Sequence, residues 1–270
     1  MKILSMGDRV RPGTYAVKAR FARSVLLLDA HGRALFVVDR SIGAGPLNLV
    51  VADPADFASG DSLAIASPRR GRRGLQGKSK WSRHAPVPAS LGPRFDSALP
   101  RTDREKLARV LKRSLPRHAP PESLVSLFFP AKQLPRLQRN RDALFRKAFD
   151  HFAAGRLAAG VRLIRGCGEG LTPSGDDFLC GWMLALRLRG KVAPIPAILK
   201  NALGQNAVSN AFLELAAQGR VNVAVKRLLQ APSAARVKAV CAFGHNSGAD
   251  LLGGMLFGLG YSGFRVQNSE

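Results

Sequence analysis

The first quarter of the chain alternates short apolar runs with turn residues. Runs rich in Val, Leu and Ile between Gly, Asp and Ser are typical of strands. His31-Gly32 predicts a tight turn between the second and third runs. Because so few residues separate the runs, we expect a small antiparallel sheet or barrel rather than parallel strands with helical crossovers. The predicted strands are Thr14–Lys18, Ser24–Asp29, Ala34–Asp39, Leu47–Val51 and Ser62–Ala66.

Beyond residue 100 the apolar positions follow the period of an α-helix. Thr102 to Glu105 is a capping-box sequence, and apolar residues follow it at helical spacing. A second helical region is predicted over residues 138–164, with an interruption near Gly155. From Pro173 onward nearly every segment reads as helix, punctuated by Gly, Pro and Asn. The sequence therefore predicts an α+β protein, with an N-terminal β lobe followed by a mainly α-helical lobe.

A strongly basic segment lies between these lobes. The 270-residue chain has 42 Lys and Arg against 18 Asp and Glu, a net charge of +24. Eight of these cations, and no acid, lie between Pro68 and Arg94 among Gly, Pro and Ser. We therefore predict a β lobe over residues 1–66, a basic linker or long loop over 67–100, and a helical lobe with two S-G-x-D helix starts over 101–270.

The basic charge is compatible with nucleic acid, an acidic protein partner or anionic substrates. Trp81 in the basic segment is suited to stacking on a base. However, the chain has no helix-turn-helix, zinc-finger or ribonucleoprotein motif. A solvated arginine-rich loop is therefore favoured, and specific nucleic-acid recognition is not expected.

Composition limits the location of the chain. No apolar run approaches the roughly 20 residues that span a bilayer. The N-terminus lacks the apolar region of a secretory signal, so a cytoplasmic protein without a membrane partner is expected. Cys167, Cys180 and Cys241 have no metal-site spacing and are odd in number, which predicts reduced, packed thiols rather than disulfides or zinc.

Residues 166–182, GCGEGLTPSGDDFLCGW, predict the entrance to a buried helix. Thr172 or Ser174 is a candidate N-cap, and two aspartates favour the positive end of the helix dipole. The run that follows is apolar on all sides, which is typical of a central core helix. The glycines before it permit a tight turn and a close backbone approach to a ligand.

This arrangement occurs a second time. The thirteen residues from Ser174, SGDDFLCGWMLAL, align with the thirteen from Ser247, SGADLLGGMLFGL, with six identities. We infer two related buried helices, each begun by S-G-x-D. Because S-x-x-D is itself a capping-box pattern, capping explains the shared Ser and Asp as well as ligand binding does.

Two helix N-termini with free amides form a natural anion pocket. Carboxylates repel an anion, so such a pocket requires a metal, a proton, or aspartates that turn back to cap their helices. Asp177 and Asp250 are therefore candidate ligands of Mg²⁺. His245 and Asp177 are the candidate catalytic residues, with His245 as a general acid or base. The candidate anion-binding residues are Gly168, Gly170, Thr172, Ser174, Gly175, Asp176, Asn246, Ser247, Gly248, Asp250, Gly45 and Asn48.

The last two of these candidates belong to the first lobe. The segment IGAGPLN, residues 42–48, is a glycine-rich turn that enters a strand, and such turns are usually hairpin connections. If the β lobe packs over the helix starts, Asn48 and the glycine amides complete a pocket between the lobes.

The segments GLTPSGDDFLCG, GHNSGADLLGGMLFGL and IGAGPLNLV together resemble the AllH-like family. That family is associated with the oxamate carbamoyltransferase of allantoin catabolism. The resemblance extends from about Gly7 to Gly260. It implies the interconversion of oxalurate and phosphate with oxamate and carbamoyl phosphate, in assembly with other subunits of the enzyme. The chain departs from the family pattern at Glu169, at Asn246 and in its long basic linker.

Three hypotheses about function remain at this stage. The first is an enzyme subunit for carbamoyl transfer, which binds a small anionic metabolite and other carbamoyltransferase subunits. The second is a non-catalytic metabolite-binding or assembly subunit that supports a partner enzyme. The third is nucleic-acid binding through the basic linker, for which steep salt dependence is expected.

Overall fold

The computed structural model describes residues 2–54, 61–66, 87–88, 92–129 and 134–261. The chain divides into two compact units. Unit 1 consists of Met1–Ser97 with Val221–Val223, and unit 2 of Ala98–Arg220 with Ala224–Glu270. Most of the predicted basic linker, including Trp81, lies outside the described residues. The linker and the domain bounds at residues 66 and 100 therefore remain predictions.

Unit 1 is built on one eight-stranded sheet within the described residues, in the order β7-β6-β2-β3-β4-β5-β1-β8. Antiparallel pairings predominate, and three pairings are parallel: β4 with β5, β1 with β8 and β6 with β7. The strands are β1 Ile3–Gly7, β2 Gly13–Phe21, β3 Ser24–Asp29, β4 Ala34–Val38, β5 Asn48–Val51, β6 Ser62–Ala66, β7 Val87–Pro88 and β8 Arg94–Phe95.

Alternating apolar residues of these strands form the core of unit 1. Val25 and Leu27 of β3, with Leu35 and Val37 of β4, all point to the same buried cluster. The predicted turn between these strands is confirmed. Asp29 accepts hydrogen bonds from the backbone amides of His31 and Arg33, and Gly32 adopts a positive φ of 73°.

The glycine-rich turn before β5 is held by Asn48. Its side-chain amide donates to the carbonyl of Gly43 at 2.9 Å, and its backbone amide donates to that of Gly45 at 3.1 Å. A Cβ atom on Gly45 would lie 2.9 Å from the Asn48 side-chain nitrogen. These contacts explain both residues as parts of a turn, and their role in ligand binding remains a prediction.

Unit 2 is helical, with nine α-helices and the 3₁₀ helix Leu124–Leu127 in the described part of the chain. Together with the sheet of unit 1, it confirms the predicted α+β class. The α-helices are α1 Arg104–His118, α2 Arg136–Ala153, α3 Leu157–Ile164, α4 Ser174–Leu188, α5 Ile195–Ala202, α6 Ala207–Ala217, α7 Val223–Gln230, α8 Ala234–Cys241 and α9 Ser247–Gly258.

Two predicted helix boundaries illustrate the local chemistry. Helix α1 begins beside the predicted start, but its N-cap is Asp103, whose carboxylate accepts from the amide of Lys106 at 2.9 Å. The predicted cap by Thr102 is wrong, because that hydroxyl donates to the carbonyl of Pro100. The predicted interruption at Gly155 is confirmed by its φ of 72° between α2 and α3.

Helices α4 and α9 form the centre of unit 2 and make its most extensive helix contact. Glycines permit this close approach from both sides. A Cβ atom on Gly181 would lie 1.9 Å from the carbonyl oxygen of Leu251, and one on Gly254 would lie 1.9 Å from that of Phe178. The prediction of a buried α4 is confirmed, since its residues from Ser174 to Leu186 are all buried.

Among the described residues, no helix has the length and apolar character that crossing a membrane requires.

Candidate functional site

The entrances to α4 and α9 have the same backbone construction. The amide of Gly175 donates to the carbonyl of Cys167 at 2.8 Å, and the amide of Gly248 donates to that of Phe243 at 3.1 Å. Both amides are therefore already hydrogen-bonded to carbonyl groups of the preceding loops. The anion contact predicted for Gly175 and Gly248 has no support in this geometry.

Both glycines also lie directly against the helix that precedes the loop. A Cβ atom would lie 1.7 Å from the carbonyl oxygen of Ile164 at Gly175, and 1.8 Å from that of Val240 at Gly248. The internal repeat thus extends backward from the S-G-x-D helix starts. It relates α3, a loop and α4 to α8, a loop and α9.

The S-G-x-D residues do not cap their own helices. Pro173 occupies the N-cap position of α4 and Asn246 that of α9, and neither helix has a side-chain cap hydrogen bond. The predicted capping by Thr172 or Ser174 is therefore wrong. Both Asp177 and Asp250 are instead directed across the interface between the two helices.

The two helix starts exchange hydrogen bonds reciprocally. The hydroxyl of Ser247 on α9 donates to Asp177 on α4, and the hydroxyl of Ser174 on α4 donates to Asp250 on α9. We call these two pairs the Ser–Asp interlock. Thr172 extends it, because its hydroxyl bonds to Asp177 and lies 2.9 Å from the hydroxyl of Ser247. The structure thus brings the two predicted helix starts together.

Asp250 is fully buried, with an exposed fraction of 0%. Burial raises its pKa to about 6, although hydrogen bonds from the Ser174 hydroxyl and the Leu124 amide oppose this rise. The Leu124 amide lies 2.6 Å from Oδ1 of Asp250, at the start of the 3₁₀ helix. The positive charge of Arg141 also lowers this pKa, and the negative charge of Asp142 raises it.

Asp177 has an exposed fraction of 7% and a pKa well above its ordinary value. Burial is the main cause, and the negative charge of Asp250 adds to it. Hydrogen bonds from the Ser247 and Thr172 hydroxyls act in the opposite direction. The two aspartates are thus close enough to influence each other.

One oxygen of each aspartate has no hydrogen-bond partner. Oδ2 of Asp177 and Oδ2 of Asp250 are both buried and unpaired, as is Oδ1 of the neighbouring Asn246. An unpaired buried polar atom typically costs about 1 to 3 kcal/mol, so native proteins retain few of them. Three such atoms lie at the two adjoining helix starts.

Asp176 has a different role from its neighbour. Its Oδ1 accepts from the amide of Gly166 at 2.7 Å, and its Oδ2 accepts from the hydroxyl of Ser209 on α6. Both oxygens are occupied by these protein contacts. The geometry therefore supports Asp176 as an anchor for the loop rather than as an anion ligand.

The glycines of the loop before α4 lie at its exposed side. Gly168 has a φ of 115°, and a Cβ atom there would lie 2.7 Å from the amide nitrogen of Ser174. Gly170 has a φ of 94° with open space around its Cα atom. A close backbone approach to a ligand was predicted for these glycines. The close approach that is observed is between Gly168 and Ser174, at the start of α4. Ligand contact by either residue remains a prediction.

His245 is exposed in the loop between α8 and α9. It immediately precedes Asn246 and Ser247, both partly exposed, which in turn adjoin the buried Asp250. Exposure therefore decreases from the loop toward the interlock. The catalytic roles predicted for His245 and Asp177 remain predictions, but His245 is open to solvent near the predicted site.

One charged pair near the interlock was not predicted from the sequence. Arg141 lies 3.1 Å from Asp142, and it also donates to the carbonyl of Ser123 at 3.2 Å. Asp142 is buried and accepts from the Ser126 hydroxyl at 2.8 Å. The sequence contains one signal for this pair. Asp142 is an acid on the same buried face of the amphipathic helix α2 as Phe145 and Phe149.

The metal site predicted at the helix starts has two candidate carboxylate ligands, Asp177 and Asp250. In the part of the chain that the structure describes, no three His, Cys, Asp or Glu side chains are grouped to hold a metal ion. Asp177 and Asp250 alone would leave most of the six positions around Mg²⁺ to water and substrate. The Mg²⁺ site at these two residues therefore remains a prediction.

The three cysteines are free, as predicted. Cys180 and Cys241 are buried, and burial raises the pKa of Cys241 to about 11. Cys167, in the loop before α4, is partly exposed, and burial raises its pKa as well. None of the three therefore has the lowered pKa of a reactive thiolate.

The fold and site together define a class: an α+β protein with two buried S-G-x-D helix starts that bind each other reciprocally. Within the chain, residues 164–259 match the family described as oxamate carbamoyltransferase subunit AllH. This match confirms the resemblance to the AllH-like family over the segment that contains both helix starts. No curated protein and no solved structure matches the chain.

Proposed function

We propose that the chain is a subunit of a carbamoyltransferase acting on a small ureido or amide acid, and that the Ser–Asp interlock lies in its metabolite site. The observation that carries the proposal is the pair of buried, half-paired carboxyl groups of Asp177 and Asp250. Both lie within the segment that matches the oxamate carbamoyltransferase subunit. Buried carboxyl groups with raised pKa values are concentrated at functional sites.

The reaction that we propose converts oxalurate and phosphate into oxamate and carbamoyl phosphate. A phosphate oxygen attacks the carbamoyl carbon and forms the new C–O bond. The bond from that carbon to the oxamate nitrogen breaks, and this nitrogen takes up a proton. The reaction therefore needs a site for two anions and a proton donor near the leaving nitrogen.

The structure bears on how an anion is tolerated near two aspartates. Three solutions are compatible with the sequence: a metal, a proton, or aspartates that cap their own helices. The aspartates do not cap their helices, which leaves a metal ion or a proton. Of these two, we propose the proton on Asp177, whose pKa burial raises above its ordinary value. A neutral carboxylic acid at Asp177 removes much of the repulsion and also supplies a hydrogen-bond donor.

The gradient of exposure suggests an orientation for the ligand. Thr172, Asn246 and Ser247 are partly exposed and bear hydroxyl or amide donors suited to a carboxylate or phosphate. The buried aspartates then face the uncharged end of the molecule. In this arrangement, exposed His245 is the proton donor to the leaving nitrogen.

Reconstitution tests the proposal. The chain is combined with the other carbamoyltransferase subunits, and carbamoyl phosphate formation from oxalurate and phosphate is measured with and without Mg²⁺. We expect His245→Gln to lower the rate by about 100-fold or more, since general acid catalysis typically contributes this much. His118→Gln on α1 and Asp150→Asn, an exposed position on α2, are the matched controls.

The same experiment separates the enzymatic role from a non-catalytic one. An assembly that needs this chain but works normally with both His245→Gln and Asp177→Ala would show a binding or assembly subunit. An assembly that forms carbamoyl phosphate at the full rate without the chain would contradict both roles.

A further inference from the structure

The loop before α4 is longer than its counterpart before α9 in the internal repeat. In the shorter loop, the carbonyl of Phe243 accepts from the amide of Gly248, five residues further along the chain. In the longer loop, the carbonyl of Cys167 accepts from the amide of Gly175, eight residues further along. The loop before α4 therefore contains three additional residues within the same hydrogen-bonded frame.

The additional residues lie between Gly168 and Ser174. Gly168 and Gly244 directly follow the two accepting carbonyl groups, and their φ angles are both positive, 115° and 64°. A Cβ atom on either glycine would lie 3.2 Å from the hydroxyl oxygen of the serine that begins the next helix. Because the two glycines are equivalent, the extra length falls among residues 169–173, which we call the inserted segment.

The inserted segment carries Thr172 to the opposite helix start. The hydroxyl of Thr172 lies 2.9 Å from that of Ser247 on α9 and also bonds to Asp177 on α4. Thr172 is partly exposed, whereas Asp177 is buried. The segment thus places a hydroxyl group at the outer side of the Ser–Asp interlock.

Asn206 ties the inserted segment to α6. Its side-chain oxygen accepts from the amides of Val208 and Ser209 at 3.0 and 3.1 Å, which caps the helix. Its side-chain NH₂ group donates to the carbonyl of Leu171 at 2.9 Å. One side chain therefore caps α6 and holds the residue directly before Thr172.

The same turn of α6 also holds the beginning of the loop. The hydroxyl of Ser209 donates to Asp176, whose other carboxylate oxygen accepts from the amide of Gly166 at 2.7 Å. Between these two ties, Glu169 and Gly170 are exposed. Glycines with positive φ give such a loop large backbone freedom, so external ties decide how narrowly its end is positioned.

We propose that Asn206 is a positioning residue of the metabolite site. By holding the Leu171 carbonyl, Asn206 fixes the inserted segment and so keeps the Thr172 hydroxyl in place as a donor to the carboxylate or phosphate of the ligand. A donor that is already in place lowers the entropic cost of binding. This inference rests on the proposed metabolite site, and it assigns control of one donor of that site to α6.

Asn206→Ser separates the tie from the cap. Serine is about as good an N-cap as asparagine, but it has no NH₂ group to reach the Leu171 carbonyl. The unfolding temperature should therefore change little. Alkylation of Cys167 by N-ethylmaleimide, followed by mass spectrometry, should become about twofold to tenfold faster, the usual worth of one hydrogen bond. The buried Cys180 and Cys241 are internal controls for global unfolding.

Kinetics of the reconstituted assembly test the effect on the ligand. Asn206→Ser should raise KM for oxalurate or for phosphate by about twofold to tenfold at unchanged kcat, because the lost contact serves ground state and transition state alike. Thr172→Val removes the hydroxyl itself, so adding Asn206→Ser to it should cause no further rise in KM. Asn140→Ser, an exposed position on α2, is the matched control and should leave KM and alkylation unchanged.

The outcomes separate this inference from the proposed function. Unchanged alkylation of Cys167 in Asn206→Ser would overturn the tie. Unchanged KM for both anions, or an equal rise in KM with and without the Thr172 hydroxyl, would overturn the positioning role and leave the metabolite site in place. No turnover by an assembly that contains the original chain would contradict the metabolite site itself, and this inference with it.

Discussion

Asp250 on α9 accepts a hydrogen bond from Ser174, the first residue of α4, rather than capping its own helix. Its counterpart Asp177 makes the equivalent bond to Ser247 in the opposite direction. The repeated S-G-x-D sequence therefore describes a mutual contact between two helices. This contact places two carboxyl groups in the interior and leaves one oxygen of each without a hydrogen-bond partner.

The first prediction concerns the pairing of Ser174 with Asp250. Loss of the hydroxyl in Ser174→Ala should destabilise the chain by about 1 to 3 kcal/mol, because a buried carboxyl group loses a donor. A double-mutant cycle by denaturant unfolding should show stronger coupling of Ser174 to Asp250 than to Asp177. Stronger coupling to Asp177, within the same helix, would restore the capping-box interpretation.

The second prediction concerns the glycines between α4 and α9. Gly181→Ala should destabilise by about 3 kcal/mol or more, since its Cβ atom would lie 1.9 Å from the carbonyl oxygen of Leu251. Gly253→Ala on α9 is the matched control. Its Cβ atom would meet only Phe128, at 3.5 Å, so the better helix propensity of Ala should leave stability equal or raised by about 1 kcal/mol. Thermal unfolding measures both, and equal effects would contradict the described packing.

The third prediction concerns pH. The pKa of Asp250 is raised from 3.8 to about 6, so the folded chain keeps this proton after the unfolded chain has lost it. Its contribution to folding is therefore most favourable below pH 4 and declines as pH rises to about 6, by about 3 kcal/mol. The stability of Asp250→Asn relative to the original chain should rise over this interval. A constant difference in unfolding free energy between pH 4 and 7 would exclude the raised pKa.

The fourth prediction separates Asp176 from Asp177. Asp176→Ala leaves the Gly166 amide and the Ser209 hydroxyl without their acceptor, so we expect a loss of about 2 to 3 kcal/mol. The ligand affinity of the folded variant should remain within about twofold of that of the original chain, because both oxygens of Asp176 already accept hydrogen bonds from the protein. Thermal unfolding and calorimetric titration on the same samples test this. A large loss of affinity with unchanged stability would return Asp176 to the binding site.

Local sequence patterns predicted the elements of the fold where chemistry within a few residues decides them. The turn at Gly32, the break at Gly155 and the buried run of α4 all follow from such local signals. The strands Val87–Pro88 and Arg94–Phe95 do not, because each is only two residues long and depends on a distant partner strand.

The candidate site was predictable in position but not in its connections. The internal repeat drew attention to Ser174, Asp177, Ser247 and Asp250. Propensity assigned each serine to the aspartate of its own helix, whereas tertiary packing pairs it with the other. The contributions of Arg141 and the Leu124 amide depend on segments more than 100 residues from Asp250, and no local pattern contains that information.

The most direct test of a metabolite site at the paired helix starts is thermal unfolding of the chain with oxalurate, oxamate, carbamoyl phosphate or phosphate, each with and without Mg²⁺. At about 100 times its dissociation constant, a bound ligand should add roughly 2.7 kcal/mol, a shift of a few degrees. We predict this shift with the carbamoyl compounds for the original chain and for Asp150→Asn, and its loss in Asp250→Ala. An equal shift in Asp250→Ala would contradict binding at the helix starts, and no shift with any ligand would contradict a site formed by this chain alone.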